Sequence, residues 1–203
     1  MAKICIVAEL HYCKGEIMDT DVMNGVDVEQ LVGTIEAIKD KPELARFNFR
    51  AKTTWINGGH SRTTIQSFYG AGQEDTSRSE PFVLEGDEPP VLLGANKGPN
   101  AVEMVLAALA SCLTVGMVYN AAARGLKIER LEFELDGDVD LHRFLGLSDT
   151  VRAGYQNIRL TCSLQSDASD SELSELLEHV KNTSPVLDII SNPVNVEVQL
   201  KHL

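Results

Sequence analysis

Pro99-Asn100-Ala101-Val102-Glu103-Met104-Val105-Leu106-Ala107-Ala108-Leu109-Ala110-Ser111-Cys112-Leu113, continuing to Arg124, is the segment that the rest of the chain has to accommodate. It reads as one long helix, apolar almost all round, with a single thiol inside it, and a helix of that kind is wrapped by other elements. Asn100 is placed to cap it, and Glu103 three residues on completes a capping box. Gly125 ends it just past Arg124, whose charge suits the negative end of the helix dipole.

Downstream, Leu126 to Val139 alternates through Ile128, Leu131, Phe133 and Leu135, the period of a half-buried strand. Val151 to Gln165 predicts a second strand, with Ile158, Leu160, Cys162 and Leu164 on one face, and Leu141 to Thr150 joins the two. Ser169 and Glu172 form another capping box before a helix whose apolar face is Leu173, Leu176, Leu177 and Val180. Ser184 is an N-cap with Pro185 at the first helical position, so a short third helix follows. After Pro193, Val194 to Leu200 alternates as a closing strand.

Upstream, Phe47, Phe49, Ala51, Thr53 and Trp55 alternate with polar residues in a half-buried strand starting near Arg46. Asn57-Gly58-Gly59 turns the chain, and Thr63 to Phe68 returns as the second arm of a hairpin. Gly70 to Ser79 reads as loop, Phe82 to Leu84 as a third strand, and Glu85 to Lys97 as loop again. Earlier still, Asp27 caps a helix with Val28, Leu31, Val32, Ile35 and Ile38 on one face, stopping near Asp40 before Pro42. Asp19 to Gly25 is loop-like, and Lys3 to Ala8 suits a short strand. Residues 1–44 read as an appendage and residues 45–203 as the main domain. Three strands, a helix, two strands, two helices and a strand make an α+β fold, and no glycine-rich phosphate loop joins a strand to a helix.

With 203 residues, 43% hydrophobic but only 5% aromatic, the core must be aliphatic. A net charge of −12 opposes nucleic-acid phosphate and anionic membrane, so neither is an expected partner. Polar and glycine breaks interrupt every long apolar run, so no transmembrane span is expected, and Ile4 to Ala8 is too short for a signal-peptide core. The four cysteines, Cys5, Cys13, Cys112 and Cys162, form no CxxC pair and no cluster with zinc-ligand spacing. A reducing cytoplasm is the expected setting, with no metal and no cofactor.

Cys112 is the one thiol carried into the middle of the long helix. Val105, Ala108, Leu109 and Gly116 lie near its face, all small or apolar, and burial alone makes a thiol inert. An activating cation must therefore come from another element or another subunit. Glu103, nine residues earlier, is about 13.5 Å away along the axis and about 180° round the helix, so it cannot touch Cys112 of its own helix.

The Gly98-to-Cys112 segment resembles the central signature of the OsmC/Ohr family, the osmotically inducible and organic-hydroperoxide-resistance proteins. Three further blocks match: Ala123-Arg124-Gly125; Leu141 to Leu147 with Val151 to Tyr155; and Ser184-Pro185-Val186-Leu187-Asp188 with Pro193-Val194. The resemblance covers about residues 45–200. It implies antiparallel sheets wrapped around long central helices in an intertwined homodimer. It also implies reduction of organic hydroperoxides by a peroxidatic thiolate, a resolving cysteine, and an Arg and a Glu that activate the thiolate. Cys112 matches the peroxidatic position. Ser184 stands where the resolving cysteine would be, so an external thiol must reduce the oxidised sulfur. The acid of the hydroperoxide-resistance branch lies ten residues before the thiol, where this chain has Val102, so Glu103 is offset by one. Arg62, with His60 as the other candidate, is near the family's arginine in the first hairpin. Two other readings stay open. One is a non-catalytic homodimer whose crevice, lined by Met104, Leu109 and Leu113, binds a small apolar ligand. The other makes Ser184 a nucleophile, without a Gly-x-Ser-x-Gly context and with an N-cap role that already accounts for it.

Overall fold

The structure, a computed structural model, describes residues 22–202, so the expected strand at Lys3 to Ala8, and Cys5 and Cys13, lie outside the described residues. The first elements are two short strands, β1 (Val22–Met23) and β2 (Val26–Asp27), turned by Asn24 and Gly25, both at positive φ. This is a hairpin where a loop was expected; its strands are too short to leave a period in the sequence. Asn24 ties it to the body, its side chain donating to Leu126 O (2.9 Å) and accepting from Ile128 N (2.8 Å). Helix α1 (Val28–Asp40) begins at Asp27, whose carboxylate accepts from Gln30 N, and stops before Pro42 as expected.

Strands β3 (Lys52–Asn57), β4 (His60–Ile65) and β7 (Phe82–Gly86) form an antiparallel sheet in the order β3-β4-β7, with the turn at Gly58-Gly59. The expected first strand began too early: Phe47 and Phe49 precede β3 and stack on each other and on Phe68. Between β4 and β7 the expected loop holds a small hairpin of β5 (Phe68–Gly70) and β6 (Gln73–Asp75).

Helix α2 (Ala101–Ala123) carries both halves of the expected capping box at Asn100 and Glu103, and its end is marked by Gly125 at φ +69°. By length and by a mean hydropathy of 2.0 over its most apolar window it is long and apolar enough to cross a membrane, a test that a core helix also passes. One side of it is the protein core: Leu109, Leu113, Met117 and Ala121 are buried with Leu176 and Val180 of α3 (Asp170–Thr183). Behind them stand the inward residues of the long hairpin β8 (Ile128–Asp138) and β9 (Asn157–Ser166), in register from Arg130↔Gln165 to Asp138↔Asn157 with a bulge between Ile128 and Arg130. Each fully buried aliphatic here contributes about 1.5–3 kcal/mol. The fold is α+β, with antiparallel sheets and four helices, as expected.

Helix α4 (Pro185–Ser191) opens on Ser184, as predicted. The expected strand at Val194–Leu200 does not form. The segment belongs to no ladder, and Val194, Val196, Val198 and Leu200 are all exposed. Its alternation is that of a strand, but among the described residues no strand edge is paired with it.

Candidate functional site

The site is built where α2 and α3 cross. Gly116 makes the crossing possible: a Cβ there would sit 2.7 Å from Val180 Cγ1, which no ordinary contact allows. Gly116 is one turn after Cys112, and Val180 is one turn before Ser184. The close approach at one level therefore brings Cys112 Sγ and Ser184 Oγ to 3.2 Å at the next. Ser184 is 5% exposed and also caps α4, its Oγ accepting from Leu187 N at 3.3 Å. With its oxygen accepting there, the single hydroxyl hydrogen of Ser184 is free to point at the sulfur. Ser184 thus sets a hydroxyl directly against the Cys112 sulfur.

Cys112 stands at a border on α2. At about 100° per residue, Leu109 and Leu113 lie within about 100° of it on the buried side, and Ala108, Val115 and Tyr119 within about 60° on the other. Val105, Val115 and Tyr119 are 37%, 49% and 48% exposed, an uncovered apolar stripe running beside the thiol.

The other expected site residues are elsewhere. Glu103 is engaged in the cap, accepting from Asn100 N at 2.8 Å. Arg62 and His60, on β4, converge on Glu85 of β7. Arg62 Nε donates to Oε1 at 2.7 Å, and His60 Nε2 is 2.8 Å from Oε2. The Arg62 guanidinium first, then His60, hold the Glu85 carboxyl below its usual range. Among the described residues the only hydrogen-bonding partner of the Cys112 sulfur is Ser184, so neither Arg62 nor His60 reaches it within the chain. The sheet bearing them meets α2 near its N-terminal end, where Gly86 faces Met104 Cε and Asp87 N donates to Pro99 O at 3.4 Å. Large apolar residues stand exposed on it, Trp55 (72%) and Phe82 (60%) on one face and Val83 (51%) on the other, while the middle strand β4 is half-buried. Met104 reaches toward Gly86 of that sheet, and Leu109 and Leu113 are in the core cluster.

Two residues were missed in the sequence. Glu85 stands opposite Arg62 in the β4–β7 register, a cross-strand pairing that only a correct strand alignment reveals. Asp87 is buried and accepts from the backbone N–H groups of Glu88 (2.8 Å), Ala95 (3.0 Å) and Lys97 (3.1 Å). These bonds, led by that from Lys97, hold its carboxyl below the usual range and pin the loop that leads into α2. The signal was an aspartate after a glycine at a strand end, too common to single out. Cys162 packs against the core from β9, where burial pushes its thiol pKa up, so it is no substitute resolving thiol. Among the described residues no group of three His, Cys, Asp or Glu is arranged to hold a metal.

Comparison with known proteins agrees with this architecture. Residues 94–199 match the family model for OsmC-like proteins, just over half of the chain. No curated protein matches. Among solved structures, an OsmC-like protein from Mycoplasma pneumoniae superposes with a TM-score of 0.54 at 18% identity, covering 76% of this chain and 98% of that one. A protein from Psychrobacter arcticus 273-4, described as an osmotic stress induced and detoxification response protein, gives 0.53 at 15% identity, covering 70% and 88%. At these identities the structural likeness speaks for the fold, while the family match spans α2, Cys112 and Ser184 together. The chain belongs to the OsmC-like family.

Proposed function

We propose that this protein is a cytoplasmic thiol-dependent organic hydroperoxide reductase with Cys112 as its nucleophile, working as a homodimer. The observation that carries the reading is the 3.2 Å contact between Cys112 Sγ and the buried Ser184 hydroxyl, a polar partner held on a half-buried thiol at the border of the core. The Cys112 thiolate attacks the distal peroxide oxygen, the O–O bond breaks, and the departing alkoxide takes up a proton as the alcohol. Sulfur is oxidised by two electrons to the sulfenic acid. Because Ser184 cannot form a disulfide, an external thiol condenses with the sulfenic acid, releasing water and leaving a mixed disulfide. A second external thiol then restores Cys112.

The dimer supplies what one chain lacks. The uncovered stripe of Val105, Val115 and Tyr119 beside Cys112, and the exposed Trp55, Phe82 and Val83 of the sheet, give a second copy two apolar surfaces to cover. In such an assembly the partner's β3-β4-β7 sheet brings an Arg–His–Glu cluster toward the thiol. Anaerobic stopped-flow with cumene hydroperoxide tests the reading. Turnover should be supported by a monothiol as well as by a dithiol, and should vanish in Cys112→Ser. Peroxide consumption that is indifferent to Cys112→Ser rejects it.

A further inference from the structure

We propose that the cleft between α2, β9 and the α3–α4 pair is a binding site for a small amphipathic anion, a carboxylate on an aliphatic tail, separate from Cys112. The cleft has a volume of about 660 Å³, inside the range of about 300–1,000 Å³ usual for small-molecule sites. Its floor is aliphatic, with Leu109, Leu160 and Leu177 among its walls, and among the described residues the only charged groups lining it are Arg152 and Lys181. That is a marked local reversal in a chain with 30 acidic and 18 basic residues. Lys181 is held by Glu178, one turn back on α3 and not part of the lining. Arg152 makes no ion pair among the described residues.

An apolar floor with a cationic mouth selects its occupant. A neutral hydrocarbon leaves Arg152 unused, and a polar anion such as phosphate leaves the leucines wet, whereas a tailed carboxylate satisfies both ends. The cleft also avoids the face proposed for a second copy. Leu109 and Leu113 are about 80–120° round α2 from Tyr119. The inference does not rest on hydroperoxide chemistry, since no step of it uses Cys112.

Cys162 lines the cleft and serves as an internal reporter. Its modification by N-ethylmaleimide at mildly alkaline pH is followed by peptide mass spectrometry, with decanoate as probe. At ten times its dissociation constant, decanoate should slow Cys162 roughly tenfold, because only the empty fraction reacts, and should leave Cys112 unchanged. Arg152→Ala should weaken decanoate binding roughly tenfold and leave decanol binding as it was. Isothermal titration decides the matter independently of thiol reactivity: one decanoate site per chain is expected, abolished by Leu177→Trp, which fills the cleft. Absence of decanoate binding overturns the proposal, as does binding that Arg152→Ala does not weaken. A cleft that takes up decanoate only after Tyr119→Glu separates the subunits is filled by a second copy, and that result overturns it too.

Discussion

Replacing Ser184 by cysteine should convert the sulfenic acid at Cys112 into a disulfide. The two side-chain atoms are 3.2 Å apart, and sulfur atoms in a disulfide are about 2.0 Å apart, so closure needs only about 1.2 Å of movement. The position lies at the start of α4, where a small adjustment of the cap is possible without disturbing α2. The bridge joins residues 72 apart, and the chain-entropy relation gives roughly 4 kcal/mol for a loop of that size. Against this, cysteine is a poor N-cap, which costs the reduced form about 1 kcal/mol. Reduced Ser184→Cys should therefore melt roughly 2–4 °C below the wild type, and its oxidised form roughly 10 °C above its own reduced form. After one equivalent of cumene hydroperoxide, non-reducing peptide mapping should find residues 112 and 184 cross-linked, with no external thiol needed. Oxidation of Cys112 to the sulfinic acid beside an unmodified introduced thiol would refute the reasoning, because it would show that the two groups do not meet in solution as they do in the structure.

Four further outcomes follow from single contacts. Gly116→Ala places a methyl 2.7 Å from Val180 Cγ1, so overpacking should lower stability by about 1–3 kcal/mol in a denaturant titration and slow peroxide turnover by pushing Ser184 off the sulfur. Tyr119→Glu puts a charge in the exposed stripe beside Cys112 and should shift the protein from dimer to monomer in sedimentation velocity, with unchanged circular dichroism and lost activity. Asp87 has a folded-state pKa below its usual value, so its stabilising effect is full above an unfolded pKa of about 3.9 and is lost as pH falls through the folded value; Asp87→Asn should flatten the acid limb of a melting-temperature profile and speed amide exchange at Ala95 and Lys97. Tyr155→Phe removes the hydroxyl that donates to Val102 O at 2.8 Å and should cost about 1 kcal/mol, with the first turn of α2 losing exchange protection.

What could be read from the sequence was local. The caps at Asp27, Asn100, Ser169 and Ser184 depend on residues three positions apart, and all four form as their spacing predicts. The long hairpin announced itself because each strand buries one face along its length. The hairpin at β1–β2 and the pair β5–β6 were missed because two or three residues carry no period. Val194–Leu200 misled for the opposite reason: a strong alternation is written there, and nothing in its own chain answers it. At the site, Cys112 could be singled out from its helix, and Ser184 from the family pattern. Their contact depends on Gly116, whose significance lies in the absence of a side chain where Val180 passes. The capture of Arg62 and His60 by Glu85 was hidden in the strand register.

The central claim is that Cys112 is a peroxide-reactive thiol. Its most direct test is to expose the intact protein to cumene hydroperoxide anaerobically in the presence of dimedone and to read each cysteine peptide by mass spectrometry. The account predicts a dimedone adduct of the sulfenic acid on Cys112, formed at substoichiometric peroxide, with Cys162 left as a thiol. Cys112 recovered as a free thiol after excess peroxide would contradict it.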